Sequence, residues 1–159
     1  RTILTAAARS PDHGKLEPWR FVVLEKPALV RAHALVAKRG AELGHDTAKI
    51  EKEQIAYDRS PLAIVVVESP VESEKVPAIE QTYSAGAVCL ALLNAALASG
   101  WGANWLSGWA SFDAEFTRAA FGIDRHESVA GIIHIGTETV APPERPRPDL
   151  DAITTWISE

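Results

Sequence analysis

The chain predicts a three-layer α+β domain, with helices on both faces of one sheet. Two segments carry that expectation. Leu62 to Glu68 reads Leu-Ala-Ile-Val-Val-Val-Glu with no polar alternation, the pattern of a strand buried on both faces. Val76 to Ser99 is the longest helical pattern and is apolar nearly all round from Ala85, so it must be covered on every side. Strands and helices alternate along the rest of the chain, as layered α/β packing requires.

The elements follow in order. Ile3 to Arg9 is Ala-rich and reads as the end of a helix stopped by Pro11. Arg20 to Glu25 is rich in β-formers. Pro27 suits a first helical turn, and Leu29, Ala32, Leu35 and Val36 continue the helix to Leu43. Asp46 is placed to cap a second helix through Tyr57. Gly100 ends the long helix. Gly102 to Ser107 is a short strand, Asp113 to Phe121 a capped helix and Ser128 to Gly136 another strand. Pro142, Pro143, Pro146 and Pro148 make an extended arm, and Asp149 to Ile157 follows it with Trp156. An apolar helix too large for one small domain to cover, together with such an arm, predicts an obligate homodimer with arm exchange.

Composition narrows the function. The 159 residues fit one domain, 1–159, and 47% apolar residues supply a real core. A net charge of −5 with no basic block argues against nucleic acid or an anionic membrane as partner. One cysteine, Cys89, excludes an internal disulfide framework and fits a reducing, cytoplasmic compartment. The apolar run Ala85 to Ala98 is shorter than the roughly 20 residues of a membrane helix, and no signal peptide pattern is present. The sequence has no Met and begins at Arg1, so a native N-terminal segment is expected to precede it.

The most informative stretch is Arg9-Ser-Pro-Asp-His-Gly-Lys-Leu-Glu-Pro-Trp-Arg-Phe-Val-Val-Leu-Glu25. It sets a basic residue, a His and a Trp around two prolines, immediately before a strand. His13 either caps local backbone or grips a ligand. Asp12-His13 is not a hydrolase dyad, because neighbours rarely face each other and no Gly-x-Ser-x-Gly elbow exists. His33, His45, His126 and His134 lack metal-ligand spacing. His33 and His45 read as solvated helix residues, His134 as a hydrogen-bonded sheet residue, and Cys89 as a core residue. Gly100-Trp-Gly102 follows a helix and lacks a third glycine, so it is a helix stop rather than a dinucleotide fingerprint. Trp101 and Trp109 read as packing at a sheet edge. Ser107 and Gly108 after Trp105 would let a ligand approach the backbone. Arg145 and Arg147 are either solvated charges or, in a stiff arm, partners for a phosphate.

Four segments, in order, resemble the nitroreductase family of FMN-dependent NAD(P)H oxidoreductases, and within it the small YdjA-type branch. Ala6-Ala-Ala-Arg-Ser-Pro-Asp-His13 with Glu17-Pro-Trp-Arg-Phe21 is similar to the family's Ala-Pro-Ser/Asp-His…Gln-Pro-Trp signature. Glu80-Gln-Thr-Tyr-Ser-Ala-Gly86 leads into the central helix, Gly100-Trp-Gly-Ala-Asn-Trp-Leu-Ser-Gly108 resembles the flavin-side strand, and Gly131-Ile-Ile-His-Ile-Gly136 resembles the closing strand. The resemblance implies a nitroreductase-like fold and an intertwined homodimer with two FMN sites, each built from both subunits. It implies that Arg9 and His13 contact flavin bound mainly by the partner. Trp105, Leu106 and Ser107 would line the flavin from the other side, and Arg145 or Arg147 would reach its phosphate. Ala95, Ala96, Leu97, Ala98, Ser99 and Gly100 match a stretch associated with nicotinamide nucleotide. The implied activity is ping-pong hydride transfer from NADH or NADPH, through FMN, to a small electrophilic acceptor such as a nitro compound, quinone or enone. Flavin fragmentation, reductive dehalogenation and a non-catalytic flavin-binding dimer are the competing readings. The family's Arg-Arg-Ser phosphate segment has no match here, and Leu106 stands where the branch can carry Arg.

Overall fold

The sheet has four strands in the order β1-β2-β4-β3, all antiparallel: β1 is Trp19–Glu25, β2 Leu62–Glu68, β3 Gly102–Leu106 and β4 Ser128–Gly136. This computed structural model describes residues 1–158. β2 is central, and its residues from Ala63 to Val67 are buried. Ala63, Val65 and Val67 face one side and Ile64 and Val66 the other, because successive side chains in a strand alternate. The absence of polar alternation in the sequence is therefore a direct consequence of two covered faces.

One face is covered by α2 (Lys26–Glu42), α3 (Thr47–Arg59) and α5 (Ala114–Phe121). Leu29, Val36, Tyr57, Phe116 and Phe121 pack there against Val65 and Ile132. The other face holds α1 (Thr2–Ala7) and α4 (Ala78–Ala98), with Ala7, Val88, Cys89, Leu92 and Ala96 against Ile64, Val66, Ile133 and Ile135. Cys89 is a buried free thiol, as its apolar context predicts.

Helix ends obey local chemistry. Asp46 accepts from the Lys49 amide and Asp113 from the Phe116 amide, capping α3 and α5. Gly100 takes φ +82°, and the Trp101 amide returns to the Ala96 carbonyl, which closes α4. A single turn, α6 (Leu150–Ile153), lies in the Pro-rich arm, where Val140, Leu150, Trp156 and Ile157 are all exposed.

α4 runs for 21 residues, longer than its uninterrupted apolar run, and by length and composition could cross a bilayer. One face packs as core; the other shows Ile79, Tyr83, Leu90 and Leu97 to solvent, with Tyr83 69% exposed. The sequence predicts a helix covered all round. Within one chain it is covered on one side only.

Two ion pairs tie the layers to their loops. Arg20 on β1 binds Glu127 through Nε (2.7 Å) and an Nη (2.6 Å), and donates to the Gly122 carbonyl. Arg39 on α2 forms the same fork with Asp113 at 2.9 and 3.0 Å. The Arg20 fork, aided by the Asp124 amide and the Ser69 hydroxyl, holds the Glu127 carboxyl down at about 2. Because this folded-state value lies below the ordinary one, the stability it adds is present above about pH 4.5 and is lost as pH falls towards about 2. Replacing Arg20 by Met should cost about 2 kcal/mol in urea unfolding at pH 7 and should shrink the loss of stability on acidification below pH 4.5.

Candidate functional site

The loop singled out by the sequence is fixed from within. The Glu17 amide donates to Asp12 Oδ2 at 2.9 Å. Gly14, Lys15 and Glu17 all take left-handed φ values (+75°, +54° and +49°), a costly arrangement for the two non-glycine residues and one that concentrates at functional sites. Helix α4 then pins the loop with side chains one turn apart. His13 Nδ1 lies 2.8 Å from Glu80 Oε2. The Ser84 hydroxyl donates to the Pro11 carbonyl at 2.9 Å and accepts the Trp19 indole N–H at 3.1 Å. An ionised carboxylate only accepts, so Nδ1 carries the proton of this hydrogen bond, and Nε2 has no partner among the described residues. Arg9 is exposed and forms no ion pair among the described residues.

The other sequence candidates gather on the edge strand. Two cavities adjoin along β3, the smaller on its α3 side and the larger extending round the strand edge to Leu97 of α4. The larger, of about 830 Å³, is lined by Leu97, Asn104, Trp105, Leu106, Arg59 and the arm residue Arg145, among others. The smaller, of about 400 Å³, is lined by Leu106, Ser107, Trp109, Lys49, Lys52 and His134. Leu106, Ala56 and His134 line both, so the two form one slot along β3 in the size range of ligand sites. The Trp105 indole lies on the α4 side instead. A Cβ on Gly131 would meet its Nε1 at 2.3 Å, so bare glycine seats it. Arg147 is drawn back onto Glu144 and the Arg145 carbonyl. At the end of α4 the amides of Ser99, Gly100 and Trp101 all bond to carbonyls of Ala95, Ala96 and Leu97, so these donors are already used. Neither cavity is lined by Arg9 or His13.

The slot holds residues that the sequence did not single out. Lys49, Lys52, Glu53 and Ala56 recur at i, i+3, i+4 and i+7 on one face of α3. That periodicity was the available signal, but it matches an ordinary solvated helix face. His134 is a correction. It is 8% exposed, yet its Nδ1 has no hydrogen-bond partner among the described residues, and the Tyr57 ring meets it edge-on at 6.0 Å. The cause is position: its ring packs against Tyr57 on the α3 side of the sheet, where no polar group of the described residues meets Nδ1. The indole N–H of Trp109 in the same wall likewise has no partner among the described residues. His33 and His45 are likewise only half-exposed: His33 meets Gln54 and His45 sits edge-on to Trp109 at 4.8 Å.

Burial holds the His134 imidazole at about 4, so it is neutral at pH 7. The unfolded chain takes up this proton near pH 6.5 and the folded chain only near 4, so stability falls as pH drops through that window. His134→Phe should flatten urea-unfolding stability between about pH 6.5 and 4.

An antiparallel sheet between helical layers, with a ligand-sized slot along its edge strand and a strained, pinned loop on the opposite side, defines a ligand-binding enzyme scaffold. Residues 1–137 match the nitroreductase family. The Escherichia coli (strain K12) protein called NAD(P)H nitroreductase YdjA is 37% identical over 137 residues, 86% of this chain and 74% of that protein. Two solved structures share the fold. One is the nitroreductase-like family protein from Bacillus cereus (TM-score 0.77, 24% identity, 98% of this chain and 81% of that one). The other is the FMN and NADPH-dependent nitroreductase NfnB from Sphigopyxis sp. strain HMH (TM-score 0.75, 18% identity, 98% and 87%). The chain belongs to the nitroreductase family, a family of oxidoreductases.

Proposed function

We propose that this protein is an FMN-dependent oxidoreductase that passes hydride from NADH or NADPH to a small electrophilic acceptor in a ping-pong cycle. The observation that carries this reading is the slot along β3, with Lys49 and Lys52 beside Glu53 in one part, Arg59 and Arg145 with Glu138 in the other, and Leu106 shared between them. Such a slot fits FMN. Arg145, with Arg59 beside it in the same cavity, would take the phosphate. Leu106 and the backbone of Trp105 and Ser107 would carry the ring. Lys49 and Lys52 would supply positive charge at the ring end, and the N–H of Trp109, without a partner among the described residues, adds a donor in that wall. Bound FMN supplies the hydride relay between nicotinamide and acceptor; the protein supplies binding, orientation and charge. No paired acid and base is needed for this chemistry. A nitro compound, a quinone or an enone meets the requirement on the acceptor, which is to take hydride at an electrophilic atom.

The reading includes a second copy of the chain. The exposed apolar stripe of α4 and the exposed apolar residues of the arm would cover each other's counterparts in a homodimer with arm exchange. Arg9 and Nε2 of His13 would then address the cofactor seated in the partner subunit. A buried free thiol at Cys89 suits a cytoplasmic enzyme.

Three measurements test the reading. Purified protein should show bands near ~370 and ~450 nm that bleach on anaerobic addition of NAD(P)H; a colourless protein that takes up no FMN would sink it. Arg9→Ala should weaken FMN retention or slow its bleaching about tenfold, and unchanged flavin content with an unchanged rate would remove Arg9 from the site. Leu90→Glu should convert the dimer to monomer in sedimentation velocity and release FMN with it.

A further inference from the structure

Gly108 is extended, with φ −139° and ψ −171°, a conformation open to any residue. Glycine is therefore needed there for space alone. A Cβ at Gly108 would stand 1.9 Å from Glu53 Oε2 and 2.4 Å from Oε1. The same carboxylate lies against the backbone N–H groups of Trp109 and Ala110, the first residues of the 3₁₀ turn Trp109–Phe112. A half-buried carboxylate from the middle of α3 thus sits on two amides of the segment that directly follows Ser107.

We infer that Glu53 and Gly108 form a latch that sets the position of the Ser107 backbone in the flavin wall, making Glu53 a positioning residue. The inference rests on the flavin reading above. Its physical content is simple. β3 is an edge strand, its β4 pairing ends at Leu106, and something must hold the chain beyond it. The Glu53 carboxylate, packed on Gly108 and facing the Trp109 and Ala110 amides, does so, and it reaches that position only if residue 108 has no side chain.

A double-mutant cycle tests the latch. Glu53→Ala should weaken FMN binding about tenfold and shift the visible flavin bands. Gly108→Ala should do the same. Its methyl displaces the carboxylate, which ends a flexible side chain and gives way without unfolding the backbone. The Glu53→Ala/Gly108→Ala double variant should bind FMN no worse than either single variant, since both changes remove one interaction. Glu53→Gln, which keeps one acceptor oxygen, should fall between wild type and Glu53→Ala. Wild-type affinity and band shape in the single variants, or additive losses in the double variant, would overturn the latch while leaving flavin binding intact. Failure of the wild-type protein to take up FMN would overturn both the flavin reading and this role.

Discussion

Strand β2 leaves no side for water. Every residue from Ala63 to Val67 is buried, so both faces of the sheet must be roofed, and the three layers follow from that one requirement. Its neighbours inherit the constraint. β4 alternates Ile132 towards α3 and α5 with Ile133 and Ile135 towards α4, and it carries β3 at the open edge. The slot exists because β3 is the last strand. One of its faces is shared with α4, while the other meets α3 only across a gap.

α4 connects the two halves of the candidate site. Its first turns hold the Arg9–Glu17 loop through Glu80 and Ser84, its middle turns are core, and its end turns back through Gly100 into β3. A single rigid element of 21 residues therefore sets the separation between the loop with His13 and the strand with Leu106. That separation is why neither cavity along β3 is lined by His13.

Elements whose ends are set by local chemistry were legible in the sequence: Asp46 and Asp113 as caps, Gly100 as a stop, and the unalternating β2. The family and its fold were legible because motif residues such as Trp19 and Gly108 occupy places that geometry demands. The slot's second wall was not. Lys49, Lys52 and Glu53 have the spacing of any solvated helix face, and only the packing of α3 over β3 turns that face inward. His134 was misread for a related reason. A histidine among isoleucines says that it is buried, but not whether the layer above offers it a partner.

The left-handed backbone at Gly14, Lys15 and Glu17 has a thermodynamic corollary. This loop is ordered when the chain folds, held by Asp12, Glu80 and Ser84, so its conformational entropy is lost at that stage rather than on ligand capture. Association at this loop is then free of the ordering penalty that a disordered clamp would carry. Its calorimetric signature would be set by contacts and released water, and β-branched side chains at positions 15 and 17 would be excluded by the backbone itself.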